Sequence, residues 1–478
     1  MDGSNKMKKI STILVTILLA TMGVLHTVDA SFQWTQFRAH NNVISLEAPK
    51  NTTETQLDWV VGITDEFDFM TNPIVVDDYI YIASGTDNRI IKLNKDGNEV
   101  ANAKLEGTIG FNGYIAYGDG KIFVSVSDTK YDDSWNVISA STWIQAFHAD
   151  TLTPAWVSEE LGSPDSNEIV QSPIVYHNGY IYFGTANLSM TSGSYMAMST
   201  ADEPLEKPHD RREIAWRYTP LTESSYLWSG GYIINNTIVF ISNSGHLVSC
   251  SLIDGTVLAT TDIEDTVTSS IMYDDGYIYF TTRSANLYKI GYNETMYFGE
   301  QEILTVWDGG TMSSTPTIYD GKIYLGGSTD ASDFDASGFV TIIDQSTFDI
   351  LYQTEVEGNV QSSLLVNTFY DNVYAYFTQN VEEGGVYSVS LDNDDIVVEK
   401  VFIPASNQQN FCTTSIITDG NTLYHTNDSG YIMALSLDDT VASLKINQML
   451  MYGVITVGSI TGIVIIARVI KKKKCQKL

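Results

Sequence analysis

The chain has 478 residues, enough for two or three ordinary domains, and a formal net charge of −32. Residues 31–445 contain 17 Lys and Arg against 56 Asp and Glu, a net charge of −39. Such a field repels nucleic acids and favours cations or basic partners, although the same acidity also serves solubility at a crowded cell surface. With only three cysteines, the fold cannot depend on a framework of disulfides.

The first 30 residues have the pattern of a secretory signal peptide. Lys6, Lys8 and Lys9 precede a short apolar run, and Val28–Ala30 provides the small residues of a cleavage site. We therefore expect residues 1–30 to be a signal peptide; the alternative is an uncleaved N-terminal anchor. No Cys follows the cleavage site, so the pattern is not that of a lipoprotein.

A hairpin phrase recurs from there to residue 437. In VYHNGYIYFG, residues 175–184, Asn178-Gly179 supplies the two positive-φ residues of a type I′ turn between β-branched and aromatic residues. Similar turns, spaced 40 to 59 residues apart, begin at Asp77, Asp119, Asn178, Asn235, Asp275, Asp320, Asp371 and Asp419. A repeat of this length with several short strands per unit is typical of a propeller blade. The sequence predicts an all-β, eight-bladed propeller over residues 31–437, with seven blades as the alternative.

Tryptophans mark the outer strands of these units. Trp156, Trp216 and Trp307 each end a unit, whereas the Trp59 strand precedes the first hairpin and has no unit of its own. The last unit ends near Leu437 without a convincing fourth strand. We predict that the Trp59 strand completes the eighth blade and closes the ring, because closure leaves no free sheet edge.

The loops that lead into the innermost strands, called mouth loops below, should meet around one end of the central channel. Four of them bring aromatic residues beside carboxylates and amides, a combination suited to a sugar or a planar ligand. The candidate ligand-binding residues are Phe67, Phe69, Phe111, Tyr226, Trp228 and Phe411. Trp228 is the first choice because Gly230 and Gly231 leave room around it. The alternative is that these rings plug the channel or cover the ends of the blades.

One segment has the residue pattern of a calcium-binding loop. In DFDASGFVTIID, the residues Asp333, Asp335, Ser337 and Asp344 stand at ligand positions 1, 3, 5 and 12. Residues 338–344 also fit the third strand of a blade, and a strand cannot wrap around an ion. We therefore interpret the segment as a solvated acidic turn and expect no metal site, with calcium as the alternative.

Smaller signals concern modification and thiols. Possible glycosylation sites are Asn51, Asn187, Asn236, Asn293 and Asn427, of which Asn236 and Asn293 should be exposed. Cys250 and Cys412 belong to non-adjacent units, so buried free thiols are expected rather than a disulfide.

The C-terminus has the pattern of a membrane anchor. After a stalk at 438–445, residues 446–467 carry no charge, and a basic tail at 468–478 follows. This pattern predicts one transmembrane helix with the tail in the cytoplasm and the propeller outside. Gly458 and Gly462 form a G-x-x-x-G pair that could support a dimer.

The repeat resembles a known family. IQAFHADTLTPAWVS (144–158) is similar to the third and fourth strands of the pyrroloquinoline-quinone-type propeller repeat, and WTQFRAHNN (34–42) to its lead-in. The resemblance implies a propeller over about 31–440. The family includes quinone-dependent alcohol dehydrogenases and cofactor-free scaffold proteins related to the outer-membrane assembly lipoprotein.

The chemistry of the dehydrogenase branch is missing from the sequence. The resemblance implies a vicinal Cys-Cys pair over the quinone, and the chain has none. No nucleophile elbow, H-E-x-x-H or phosphate loop occurs either. We therefore expect a non-catalytic, cofactor-free propeller that binds an extracellular protein or glycan at the cell surface. The alternative is a quinoprotein dehydrogenase or a hydrolase at the same location.

Overall fold

A computed structural model describes residues 32–440, apart from 65–66, 69, 110–112, 132–136, 163–166, 203–210, 294–296, 393–394 and 439. The predicted signal peptide, the predicted membrane helix with Gly458 and Gly462, the basic tail and most of the predicted stalk lie outside these residues. Among the helices that the structure describes, none is long and apolar enough to cross a membrane.

The first two strands of the described residues, β1 (Val43–Ile44) and β2 (Thr55–Gly62), join the last two blades. Four blades follow in chain order. Blade 1 is β3 (Ile74–Val76), β4 (Tyr79–Ser84), β5 (Arg89–Asn94) and β6 (Glu99–Lys104); blade 2 is β7 (Ile115–Gly118), β8 (Lys121–Tyr131), β9 (Val137–His148) and β10 (Pro154–Val157). Blade 3 is β11 (Ile169–Val170), β12 (Val175–His177), β13 (Tyr180–Ala186), β14 (Tyr195–Ser199) and β15 (Ile214–Tyr218); blade 4 is β16 (Tyr232–Ile234), β17 (Thr237–Ile241), β18 (His246–Ser251) and β19 (Val257–Asp262).

The second half of the chain repeats the pattern. Blade 5 is β20 (Met272–Asp274), β21 (Tyr277–Thr281), β22 (Asn286–Asn293) and β23 (Tyr297–Thr305); blade 6 is β24 (Thr317–Tyr319), β25 (Lys322–Ser328), β26 (Gly338–Asp344) and β27 (Ile350–Val356). Blade 7 is β28 (Leu365–Asn367), β29 (Tyr374–Thr378), β30 (Val386–Asp392) and β31 (Asp395–Phe402), with β1 added in parallel to β28; blade 8 is β32 (Ile417–Thr418), β33 (Leu423–Thr426), β34 (Tyr431–Leu437) and β2. Short 3-10 turns occupy Ala39–Asn42 and Ser406–Gln408.

The described residues thus form eight sheets, antiparallel except for β1, which confirms the eight-bladed propeller and makes the seven-bladed alternative wrong. Each predicted hairpin joins two consecutive strands of a blade, which are the first two except in blade 3, where they are β12 and β13. At Asp119-Gly120, for example, φ is 49° and 72°, the positive pair that a type I′ turn requires. Apolar cores such as that of Phe123, Ile144 and Phe183 fill the space between neighbouring sheets.

The ring closes as predicted. Strand β2 pairs antiparallel with β34, with Trp59 opposite Ala434. The outer strand of the last blade therefore comes from the beginning of the chain, and no edge of β34 is left open.

Residues 32–52, called the strap below, cross the end of the channel that faces the hairpin turns. The strap bonds successive innermost strands: Trp34 pairs with Val75, and the carbonyl of Thr35 accepts from the N–H of Tyr117 at 2.7 Å. Further on, the side chain of Asn367 holds both main-chain groups of Leu46, at 3.0 and 2.7 Å. The strap was not predicted, and it links blades that are far apart in sequence.

The two cysteines inside the propeller are buried free thiols, as predicted. Burial raises the pKa of the Cys250 thiol to about 12 and that of Cys412 to about 11, so both stay protonated and unreactive at neutral pH. Cys475 lies outside the described residues.

Candidate functional site

The mouth loops meet over the channel and enclose a cavity of about 600 Å³. Its walls come from the loops before blades 1 and 4–8 and from the β21–β22, β25–β26, β29–β30 and β33–β34 hairpins. Residues that determine its chemistry are Phe67, Trp228, Arg283, Phe334, Phe411 and Asp428. The cavity is large enough for several side chains of a partner or for a small ligand.

Three of the aromatic candidates line this cavity. Phe67 is 50% exposed, and Trp228 and Phe411 are half-buried. Trp228 also lines the narrower space below, so its ring stands between the cavity and the channel. Phe69 and Phe111 lie outside the described residues.

Tyr226 does not belong to the site, and its assignment was wrong. The side chain is fully buried, packed edge to face against Tyr195 at 5.2 Å and Phe240 at 5.7 Å. Burial raises the pKa of its hydroxyl well above the usual value. Two residues away from Trp228 on the same loop, it points into the blade rather than toward the mouth.

Phe334 is a wall of the cavity that the sequence analysis missed. Its ring is 70% exposed and lies 6.2 Å from that of Phe411. It belongs to the β25–β26 loop, whereas the predicted site included only loops that lead into innermost strands. Both kinds of loop emerge on the same face of the propeller. An aromatic residue in a loop between the second and third strands of a blade was therefore the signal that could have indicated Phe334.

The segment considered as a calcium loop is partly a β-strand, whereas a calcium loop must wrap around the ion. Gly338–Asp344 is β26, paired with both β25 and β27, so Asp344 lies a full strand away from Asp333. Asp333 accepts from the N–H of Asp335 at 3.0 Å in a local turn, and Asp344 accepts from Ser346, whose hydroxyl bond lowers the Asp344 pKa to about 2. No group of three or more His, Cys, Asp or Glu residues suited to a metal occurs in the described part of the chain.

Two carboxyl groups lie near each other at one side of the cavity, and only one of them lines it. Asp428 lines it, and the N–H of Asp68 donates to the Asp428 carbonyl at 3.3 Å. Burial, with the nearby Asp68 carboxylate, raises the pKa of Asp428 from 3.8 to about 7. Asp68 itself is fully buried, and one of its oxygens accepts from the N–H of Thr86 at 2.9 Å. This side of the cavity therefore changes charge near neutral pH.

Below the cavity the channel is narrow and lined by hydroxyl and amide groups. A space of about 50 Å³ lies among Thr268, Ser313, Gln361 and Thr413, and it ends on Phe37 and Tyr114, which pack edge to face at 5.3 Å. Other hydroxyls tie several mouth loops to the second strand of the same blade. Examples are Ser269 to Thr281, Ser314 to Gly326 and Thr414 to Thr426. These recurrent Ser and Thr residues thus hold the loops in place.

The glycosylation candidates fall into two groups. Asn236 and Asn293 are exposed, and Asn51 and Asn187 are half-buried in turns. Asn427 is buried, and its amide nitrogen donates to the carbonyls of Gly384 at 3.2 Å and Gln408 at 2.9 Å. A glycan therefore cannot be attached to Asn427 in the folded protein.

The fold and the repeat place the protein among the propellers of pyrroloquinoline-quinone-type repeats. Residues 39–293 match the family described as outer membrane protein assembly factor BamB. Because the match spans more than half of the 478 residues, the chain belongs to this family. No curated protein sequence matches the chain.

Solved structures share the architecture at low identity. BamB from Moraxella catarrhalis is 12% identical with a TM-score of 0.54, over 80% of this chain and 98% of that one. A quinohemoprotein alcohol dehydrogenase from Pseudomonas putida HK5 is 11% identical with a TM-score of 0.61, over 85% and 80%. That from Comamonas testosteroni is 10% identical with the same TM-score and coverage. These likenesses establish the fold alone.

The cavity does not fit the quinone of the dehydrogenases. Pyrroloquinoline quinone carries three carboxylates and needs cationic partners. The charged groups of the lining are Arg283 against Asp330, Asp333 and Asp428. A tricarboxylate would therefore face three carboxyl groups with one guanidinium to compensate them.

Proposed function

We propose that the protein is a membrane-anchored, non-catalytic propeller that binds a partner at the cell surface through the mouth cavity. The observation that carries this proposal is the set of exposed rings around a concave, largely preformed space. Phe67 and Phe334 expose 50% and 70% of their surface, far more than packing of the blades requires. Rigid aromatic anchors around a cavity are the usual basis of recognition.

The partner we expect is a protein segment or a glycan. The description of the family as an assembly factor favours a protein, bound as by a scaffold. The signal peptide at 1–30 and the apolar run at 446–467 support a position outside the membrane with a cytoplasmic tail. The rival is a dehydrogenase of the kind that shares this fold, and the acidic lining argues against it.

Site-specific photo-crosslinking in intact cells tests the proposal. A benzophenone amino acid replaces Phe334 at the mouth or, as the matched control, Ile253, which is 86% exposed in the β18–β19 turn on the opposite face. We expect a discrete crosslinked product from position 334 that disappears when Phe411 is also changed to Ala. Equal products from both positions, or a product unaffected by Phe411→Ala, would show that the cavity is not the binding site.

A further inference from the structure

We propose that the mouth cavity contains a subsite for a cationic side chain, the guanidinium or ammonium group of an arginine or lysine of the partner. The subsite consists of Asp428 and Asn380, which line the cavity, with the carboxyl group of Asp68 buried near Asp428. This inference rests on the proposed binding function and names the chemistry of the group that is recognised.

Asp428 presents its carboxyl group to the cavity from a fixed backbone. Its N–H donates to the carbonyl of Phe411 at 2.9 Å, and its carbonyl accepts from the side chain of Asn410 at 3.3 Å. Among the residues that the structure describes, the only charged neighbour that perturbs this carboxyl group is another acid, Asp68. A carboxylate held in this way lacks the counter-ion that buried charges normally have.

Two further acceptors, one near Asp428 and one in the lining of the same cavity, are unused. Asp68 is fully buried, and its Oδ2 has no hydrogen-bond partner within the described part of the chain. Asn380 lines the cavity at 7% exposure, and its Oδ1 likewise has none there. An unsatisfied buried acceptor destabilises the folded protein, and a hydrogen-bond donor from the partner would remove that cost. A group with several N–H donors and no acceptor, such as a guanidinium, is the complement of this set.

The surroundings favour a side chain over a metal ion. The cavity of about 600 Å³ is far larger than one ion, and the rings of Phe334 and Phe411 form part of its wall. Aromatic faces attract cations and cover the aliphatic stems of Arg and Lys. In the described residues, moreover, no three acidic, His or Cys side chains are grouped as metal ligands.

Other titratable groups near Asp428 differ in role. Arg283, Asp330 and Asp333 line the outer cavity and are exposed, so solvent screens them. Cys412 and His425 are buried behind it, and burial keeps both neutral: the thiol has its pKa raised to about 11 and the imidazole its pKa lowered to about 4. The attraction for a cation is therefore concentrated at Asp428 and Asp68.

Calorimetric titration of the purified full chain in detergent tests the subsite. The probes are acetyl-arginine methylamide and acetyl-citrulline methylamide, which have nearly the same shape but differ in charge. At pH 8 we expect the arginine probe to bind about tenfold more tightly, and Asp428→Asn to abolish the difference. The matched control is Asp333→Asn, which removes an exposed carboxylate of the same cavity and should change binding less than threefold.

The proposal is overturned if the two probes bind equally, if neither binds, or if Asp333→Asn acts as strongly as Asp428→Asn. Tight binding of Ca²⁺ that excludes the arginine probe would make the subsite a metal site instead. The crosslinking at position 334 separates the two proposals. A product that needs Phe411 but is unchanged by Asp428→Asn would leave the binding function standing and refute the cationic subsite.

Discussion

The indole ring of Trp59, on the outer strand of blade 8, lies directly on Gly97 of blade 1. Its Nε1 donates to the carbonyl of Lys95 at 2.8 Å, and a Cβ placed on Gly97 would lie 2.7 Å from ring atom Cδ2. Trp216 and Gly255 form the same contact between blades 3 and 4, also at 2.7 Å. The junction that closes the ring therefore uses the contact found between internal blades.

Replacing Gly97 with Ala should weaken this junction. The Ala would be strained at φ +79° and would also collide with Trp59. The matched control is Gly276→Ala, at φ +83° with nothing within 4 Å of the new Cβ, which isolates the backbone strain of about 1–2 kcal/mol. We expect urea unfolding to show that Gly97→Ala costs about 1–3 kcal/mol more than the control. Equal losses for the two variants would mean that the Trp59 contact does not hold the ring closed.

Removal of β2, the strand that closes the ring, should disturb folding more than removal of most of the strap alone. Deleting residues 31–63 takes away β2 and exposes the whole edge of β34, so the protein should aggregate. Deleting 31–50 keeps β2 and should give a less stable monomer. Size-exclusion chromatography of the two proteins makes the comparison. A monomeric 31–63 deletion with an unchanged melting temperature would contradict closure by β2.

The blades and their closure could be predicted because the signals are local and repeated. Asp-Gly and Asn-Gly pairs determine the hairpin turns at Asp119, Asn178, Asp275 and Asp320, and the surplus Trp59 strand fits the one incomplete unit. The strap could not be predicted, since it depends on contacts such as Leu46 with Asn367, 321 positions apart. It also depends on left-handed backbone at Arg38, which no local pattern demanded.

The site was predicted only in outline. Position on a mouth loop indicated Phe67, Trp228 and Phe411, which line the cavity, but it could not separate Trp228 from the buried Tyr226 two residues earlier. Which way a ring turns on an irregular loop depends on the neighbouring blade. The pairing of Asp68 with Asp428 was invisible for the same reason, because the two residues meet only when blades 8 and 1 come together.

The topology can be checked with protease on intact cells. If residues 1–30 direct secretion and residues 446–467 span the membrane, external protease should release nearly the whole propeller. The tail with Lys471–Lys474 should stay protected. Immunoblots against an epitope at each end would show the two fragments. Recovery of the propeller from the cytosol would contradict the signal peptide.

Asp428 should make stability depend on pH. Because its pKa rises from 3.8 to about 7 on folding, the folded protein binds this proton more tightly than the unfolded chain. Protonated Asp428 therefore stabilises the fold below about pH 4, and this contribution is lost as the pH rises to about 7. Above that pH, the ionised carboxylate lowers the free energy of unfolding by at most about 4 kcal/mol. Asp428→Asn should raise the free energy of unfolding at pH 8 and change it little at pH 4. Denaturant titrations of both proteins at the two pH values measure this. An equal effect of Asp428→Asn at pH 4 and pH 8 would contradict the raised pKa.

Trp228 should affect binding more than stability. Its ring is half-buried between the cavity and the channel. Its main-chain N–H donates to the carbonyl of Gln171 at 3.0 Å, a bond that does not depend on the side chain. Since Trp228 already has φ of 59°, Ala adds no new backbone strain. We expect Trp228→Ala to reduce the crosslinked product from position 334 severalfold while changing the free energy of unfolding by no more than about 1 kcal/mol. Tyr226→Ala, which empties a fully buried position on the same loop, should cost about 3–5 kcal/mol. A comparable decrease in the free energy of unfolding for Trp228→Ala would mean that Trp228 is also a packing residue. The main argument for the mouth of the channel as the binding site would then fail.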